Sequence, residues 1–398
     1  QSLYGAVDLL VVGQFATAAD VSAVSTGSQI MSTITNVIAG LSMGTTILLG
    51  QQIGEGKKKD AGKSMGASIV FFAIVGLIFS VLMLFNISGV CTIMNAPKDA
   101  FVMTENYVGI CSVGLLFIIA YNVLGSLFRG IGDSKLPLFS VVIAAIINIF
   151  GDLLLVSVFH LGAAGAAIAT VASQGISVII SAIIVSRISL PFEFHKEYIR
   201  FDFSITKKIV GFGFPLAFSD FLVGLSFLVI VSLVNQFGVI VSAGVGVAEK
   251  VCNFIMLIPS AFSQSMSAFV AQNYGAKKME RAHKGLRYGI CVSVLIGFVV
   301  AYFSFFHGDL LCGLFSKDDA VIAAGWQYLK AYAIDCMLTA FFFNLNGYFN
   351  GCGYTRFVMI ENIIGGLCIR VPVSFLMSQI RPVNIFFVGL ATPCSSFI

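Results

Sequence analysis

The chain has 398 residues, of which 58 % are hydrophobic and 11 % charged, with a formal net charge of +4 and a mean hydropathy of +0.97. An ordinary soluble domain carries about 25 % charged residues, so this composition excludes a water-soluble globule and describes a chain solvated mainly by lipid. The small basic excess is spread over short loops and forms no single face, which excludes a nucleic-acid partner.

A hydrocarbon core takes about 20 helical residues to cross. Apolar runs of that order fall near 1–14, 24–50, 64–90, 101–128, 136–159, 164–186, 207–235, 244–271, 285–307, 321–350, 356–380 and 387–398. They predict an all-α integral membrane protein of twelve helices. The first and last runs are short, and those helices are expected to be truncated. The only long polar connection is 187–206 (RISLPFEFHKEYIRFDFSIT). It predicts an N-terminal six-helix lobe at 1–186, a linker at 187–206 and a C-terminal six-helix lobe at 207–398.

The two lobes repeat one another. GQQIGEGKKKDAGK at 50–63 and AQNYGAKKMERAHK at 271–284 match at Gln51, Gly54, Lys57, Ala61 and Lys63 with a constant offset of 221. The same offset carries RGIG at 129–132 onto NGCG at 350–353, and Tyr107 onto Tyr328. Six helices per repeat make both halves enter from the same side, as in a parallel-repeat transporter. Loop charge agrees. Seventeen of the 23 Lys and Arg follow even-numbered helices, and only Lys98, Lys317 and Arg381 follow odd-numbered ones. The positive-inside rule then places the linker and both termini in the cytoplasm.

Subtracting one repeat from the other leaves a polar set. Asp within a spanning helix costs about 2.5–3.5 kcal/mol at the centre, so each one asks for a reason. Asp8 lies in helix 1, and Asp152 lies in helix 5 one turn beyond Asn148, on the same face. At the 221 offset Asp8, Asn148 and Asp152 become Val229, Ile369 and Val373, and Thr170 of helix 6 becomes Ala391. At 1.5 Å per residue, Asp8, Asp152, Thr170 and Tyr107 share one depth, roughly 10 Å from the outer helix ends. An all-oxygen set suits a hard cation such as Na⁺. Two desolvated carboxylates close together also tend to share a proton.

At these residues the chain resembles the MATE (multidrug and toxic compound extrusion) antiporters. The likeness rests on Gln1, Tyr4, Asp8, Val12 and Gly13 of helix 1, the turn QQIGEGKKKDA, the turn RGIGDS, and N-x-x-x-D in helix 5, in that order. It implies two six-helix lobes alternating between inward- and outward-open states, exchanging Na⁺ or H⁺ for an organic, often cationic, compound. In the branch with its ion site in the N-terminal lobe, the site residues correspond to Asp8, Asn148, Asp152 and Thr170, joined by Tyr107 and Asn122. Gln1 and Tyr4 match positions lining the substrate cavity, and Glu249 is a further acid able to attract a cationic substrate. The other branch carries acids on helices 7 and 10. Asp220 and Asp335 fall about one turn short of those positions, so no second ion site is expected.

Remaining signals point elsewhere than catalysis. The nine Cys include no CxxC pair, and Cys111, Cys291 and Cys368 read as small core residues. GIG at 130–132 and GCG at 351–353 follow helices and read as turn glycines. Pro215, Pro259 and Pro372 are expected to kink helices 7, 8 and 11. No nucleophile–base pair suggests an enzyme, and no cofactor is expected beyond the coupling ion. The expectation is a monomeric multi-pass exporter of small organic cations in the bacterial cytoplasmic membrane. The alternatives are a lipid-linked saccharide flippase of the same superfamily, which needs a more cationic interior than Lys250, Lys330 and Arg370 provide, or a channel.

Overall fold

The computed structural model of the protein describes residues 2–94, 96–133, 135–187, 190–380 and 384–397, and within these every side chain but those of 2–6, 136 and 137. Among the described residues, twelve principal helices follow in chain order, with short helices at Ile87–Ile93 and Gly308–Gly313 between them, and no strand occurs. They are α1 (Ser2–Phe15), α2 (Ala18–Gly54), α3 (Lys58–Phe85), α4 (Phe101–Val113 and Leu115–Ile131), α5 (Lys135–Asp152 with the π-helix Leu153–Val158) and α6 (Gly162–Arg187). Then come α7 (Phe203–Val234), α8 (Val239–Gly275), α9 (Met279–Phe306), α10 (Asp319–Gly351), α11 (Thr355–Ile363, the π-helix Ile364–Arg370 and Val371–Gln379) and α12 (Ile385–Gly389 and Ala391–Ser396).

Eight of these are long and apolar enough to cross a membrane, and α4 makes a ninth when its two parts, bent by 53°, count as one span. The protein is a multi-pass membrane protein. α10 falls outside that group because Asp335, Asn344, Asn346 and Asn350 interrupt its apolar surface, and it packs against α8 and α9. The exposed Phe and Leu side chains of α3, α5 and α9 face outward instead, as lipid-facing helices do.

Contacts divide the chain into two compact units, Gln1–Gly213 and Phe214–Ile398, with the boundary inside α7. In the first unit α2 packs against α1, α3, α4 and α6, and it buries Ile38, Ile47 and Leu49. Hydrophobic burial alone cannot hold helices together in lipid, so hydroxyls contribute. Ser42 Oγ and Ser126 Oγ are 2.8 Å apart, and Thr46 Oγ1 donates to the Ser126 carbonyl at 2.8 Å. Gly62 and Gly66, one turn apart on α3, leave room for the carbonyls of Glu193 and Tyr198, so the segment joining α6 to α7 lies directly on α3.

α2 begins earlier than its apolar run because a capping box nucleates it. Thr17 Oγ1 accepts from Asp20 N, and Asp20 Oδ2 accepts from Thr17 N, each at 3.2 Å. The other Asp20 oxygen accepts from Ala163 N, in the first turn of α6, at 3.0 Å. Gly162, at φ +52°, is forced to be glycine because a Cβ there would meet the Asp20 carboxylate. One carboxylate thus ties the α1–α2 turn to the α5–α6 turn. Asp20→Ala removes a cap and this cross-link, and thermal unfolding should show a loss of about 2 kcal/mol; an unchanged midpoint would contradict the tie.

In the second unit α10 approaches α8 through glycine. A Cβ on Gly347 would meet the Ser263 carbonyl, and one on Gly351 would meet the Ser267 carbonyl. Gly297 of α9 likewise lies against the Cys336 carbonyl of α10. This is the small-xxx-small packing of membrane helices. In α11 the π-helix ends where Pro372 follows, since proline supplies no N–H to continue the ladder.

Candidate functional site

Four helices of the first unit bring polar side chains into one buried group. Asp8 of α1, Asn148 and Asp152 of α5 and Tyr107 of α4 are each no more than 2 % exposed. Asn148 Nδ2 donates to Asp8 Oδ1 at 3.2 Å and to Thr170 Oγ1 at 3.3 Å. Thr170 Oγ1, from α6, donates to Asp8 Oδ2 at 3.0 Å. Both Asp8 oxygens are therefore satisfied by neutral donors. The Asp152 carboxyl lies beside that of Asp8.

The imbalance lies with Asp152. Neither of its oxygens accepts a hydrogen bond from any described donor, and Asn148 Oδ1 is also buried without a partner. Three bare acceptor oxygens next to a carboxylate are costly in a low-dielectric interior. A positive occupant is what such a set lacks, and oxygens of this kind fit a hard cation or a shared proton.

Local structure explains the convergence. Asp152 is the last residue of the α-helical part of α5, and the ladder widens to a π-helix immediately after it, a feature frequent at functional sites. Gly27 of α2 has no side chain because the Tyr107 ring occupies that space. Tyr107 in turn has Asp8, Asp152 and Cys111 as neighbours. Gly114, at the bend of α4, faces the side chain of Val171, the residue after Thr170. Cys111 is 1 % exposed and near both Tyr107 and Asp8. It is thus a site neighbour as well as a core residue, and its spacing of one turn from Tyr107 was the available signal.

The remaining candidates lie elsewhere. Asn122 is not brought into the group. Its Nδ2 donates to the Ile118 carbonyl at 2.8 Å, and it lines a separate cavity with Arg129, Ser140 and Ser181. Ser140 is eight residues before Asn148, about 12 Å along α5. Gln1 and the side chain of Tyr4 lie outside the described residues. Glu249 belongs to the second unit, where its Oε1 is buried without a partner near Tyr328 and Cys252. Among the described residues it joins no ion pair.

The second unit does not reproduce the group. Its interior holds a fixed cation instead. Arg370 stands 4.4 Å from the Phe227 ring centroid and donates from Nη1 to Ser226 Oγ at 3.2 Å, with Asp335 nearby. Lys330 stands 4.1 Å from the Trp326 ring centroid. Among the described residues no group of three or more His, Cys, Asp or Glu is placed to hold a metal ion.

The chain is similar to known proteins over nearly its whole length. The chain is 27 % identical over 373 residues to the probable multidrug resistance protein YpnP of Bacillus subtilis (strain 168), covering 94 % of this chain and 83 % of that protein. It is 24 % identical over 386 residues to the multidrug export protein MepA of Staphylococcus aureus (strain N315), covering 95 % and 83 %. Among solved structures, an outward-facing multidrug resistance MATE family transporter of the MOP superfamily superposes with a TM-score of 0.92 at 20 % identity, covering 100 % of this chain and 89 % of that one. A MOP superfamily transporter from Pyrococcus furiosus, described as having a binding pocket of reverse polarity, gives 0.93 at 21 %, with the same coverage. The MatE family model matches residues 1–154 and again 215–376, once in each half, and the chain therefore belongs to the MatE family.

Proposed function

We propose that the protein is a secondary active multidrug exporter of the bacterial cytoplasmic membrane, with both termini cytoplasmic. It would exchange an inward-moving cation for an organic, cationic compound by alternating access of two lobes. The observation that carries this reading is the set of unpartnered buried oxygens at Asp152 and Asn148, beside Asp8, in a MatE chain. A cation entering the group neutralises one of two neighbouring carboxylates and changes how α1, α5 and α6 attract one another.

H⁺ and Na⁺ differ in what they satisfy. A proton shared by Asp8 and Asp152 leaves the Asn148 amide oxygen without a donor. Na⁺ takes that oxygen as a ligand together with the carboxylates, so the orphaned amide oxygen favours Na⁺. Efflux of a fluorescent organic cation should therefore follow an inward Na⁺ gradient imposed at equal pH on both sides. Efflux driven only by a pH gradient would assign the site to a proton, and efflux driven by neither would remove the antiport reading.

The flippase alternative finds less support. Lys330 and Arg370, two of the bases the sequence places inside helices, are already engaged by Trp326, Phe227 and Ser226. A pyrophosphate would have to compete with those partners.

A further inference from the structure

Loop charge counts Arg129 with the basic residues of a connection, but the structure puts it inside α4. The helix runs on to Ile131 and closes on Gly132, at φ +88°. Arg129 Nη2 donates to Ser126 Oγ at 2.8 Å, while its Nε is buried with no hydrogen-bond partner. No carboxylate is among the charged groups that act on Arg129. Arg129 is half-buried, and a guanidinium partly withdrawn from water without a counter-charge is unfavourable.

The charge borders a cavity. A space of about 80 Å³ between α4, α5 and α6 is lined by Arg129 together with Tyr121, Asn122, Ser140 and Ser181. Ser140 Oγ and Ser181 Oγ are 2.8 Å apart, and one of the two hydroxyls must donate to the other. The cavity lies at the end of the first unit opposite Asp8, which loop charge assigns to the cytoplasm. It is not part of the repeated scaffold. At the 221 offset Tyr121, Asn122 and Arg129 become Phe342, Phe343 and Asn350. Beside it, Leu138, Phe139 and Val142 of α5 are exposed, a surface suited to acyl chains.

We propose that this cavity binds the phosphate group of an anionic phospholipid, with Arg129 as its counter-charge. Arginine presents paired N–H donors to phosphate oxygens. Tyr121, Asn122 and the two serines surround the headgroup with hydrogen-bonding groups. Basic pockets between membrane helices on the cytoplasmic side are where such headgroups bind.

The test uses the purified full chain in nanodiscs of phosphatidylcholine containing increasing phosphatidylglycerol, followed by thermal unfolding. The expected result is a midpoint that rises and saturates with phosphatidylglycerol. Arg129→Gln should weaken the apparent lipid affinity at least about tenfold, the size of one lost charge-assisted hydrogen bond. Gly125→Leu fills the cavity while keeping the charge, since a Cβ there meets only Arg129 Nη1, at 3.4 Å. It should weaken the response as well, and it keeps the test decisive if the arginine variant fails to fold. Equal midpoints in the two lipids, or a full phosphatidylglycerol response in either folded variant, would overturn the proposal. The same rise produced by inorganic phosphate in phosphatidylcholine alone would overturn the lipid assignment in favour of a soluble anion.

Discussion

Asp152→Asn should reduce ion-driven efflux of an organic cation to the level of cells lacking the transporter, and Asp8→Asn should do the same. Asparagine preserves the shape of the side chain but cannot compensate a bound cation or exchange a proton. Removing one charged partner from a buried set costs about 3–5 kcal/mol, which corresponds to more than about 100-fold weaker ion binding. The two changes differ in their surroundings. Asp8 already accepts from Asn148 and Thr170, so an amide there keeps one of these bonds and sets its NH2 against the other donor. An amide at 152 can donate to Asp8 and occupy the site in place of the ion. Asp152→Asn is therefore expected to fold at least as stably as the parent while losing transport. Whole-cell efflux and the unfolding midpoint of the purified protein measure the two effects separately, and wild-type efflux in both variants would end the ion-site reading.

The largest expected loss of stability is at Gly347. Its missing Cβ is where the Ser263 carbonyl of α8 stands, and Gly351, one turn on, meets Ser267 in the same way. Gly347→Leu forces the α8 and α10 backbones apart along a contact that also buries Val270 and Met266. Overpacking of this kind costs about 1–3 kcal/mol where side chains can yield. Here a backbone carbonyl must move, so the expected value is at the upper end or above it. Detergent-solubilised protein should show a lower unfolding midpoint and a larger aggregated fraction on size exclusion. An unchanged profile would mean that α8 and α10 are not held by this contact.

Helix geometry decides what could be read in advance. Rise per residue placed Asp8, Asp152, Thr170 and Tyr107 at one depth because α1, α5 up to residue 152, α6 and the first part of α4 are regular over the relevant turns. Asn122 was expected only from the family resemblance, and it lies beyond the bend at Gly114, away from the group. One glycine among 40 carries no mark that distinguishes a bend from close packing. Arg129 was misplaced because RGIG reads as a turn, whereas the helix keeps its ladder until Gly132. Asp20 was missed because its role is tertiary. Capping α2 is legible from Thr17 and Asp20 together, but nothing local foretells the Ala163 N–H. The resident cation of the second unit, Arg370, gains its meaning only from Phe227, Ser226 and Asp335, which lie far away in sequence.

The 53° bend of α4 gives it the shape of a lever. Its fulcrum, Gly114, rests on Val171, the residue after Thr170, so the fulcrum lies within the ion group's own packing shell. The arm beyond it, Leu115–Ile131, is about 25 Å long. A change of about 10° at the fulcrum displaces its tip by about 4 Å over an arm of that length. Any rotation at Gly114 would therefore be largest at the far end of this arm, where Arg129 sits. The geometry gives the first unit a mechanical ratio between its two ends.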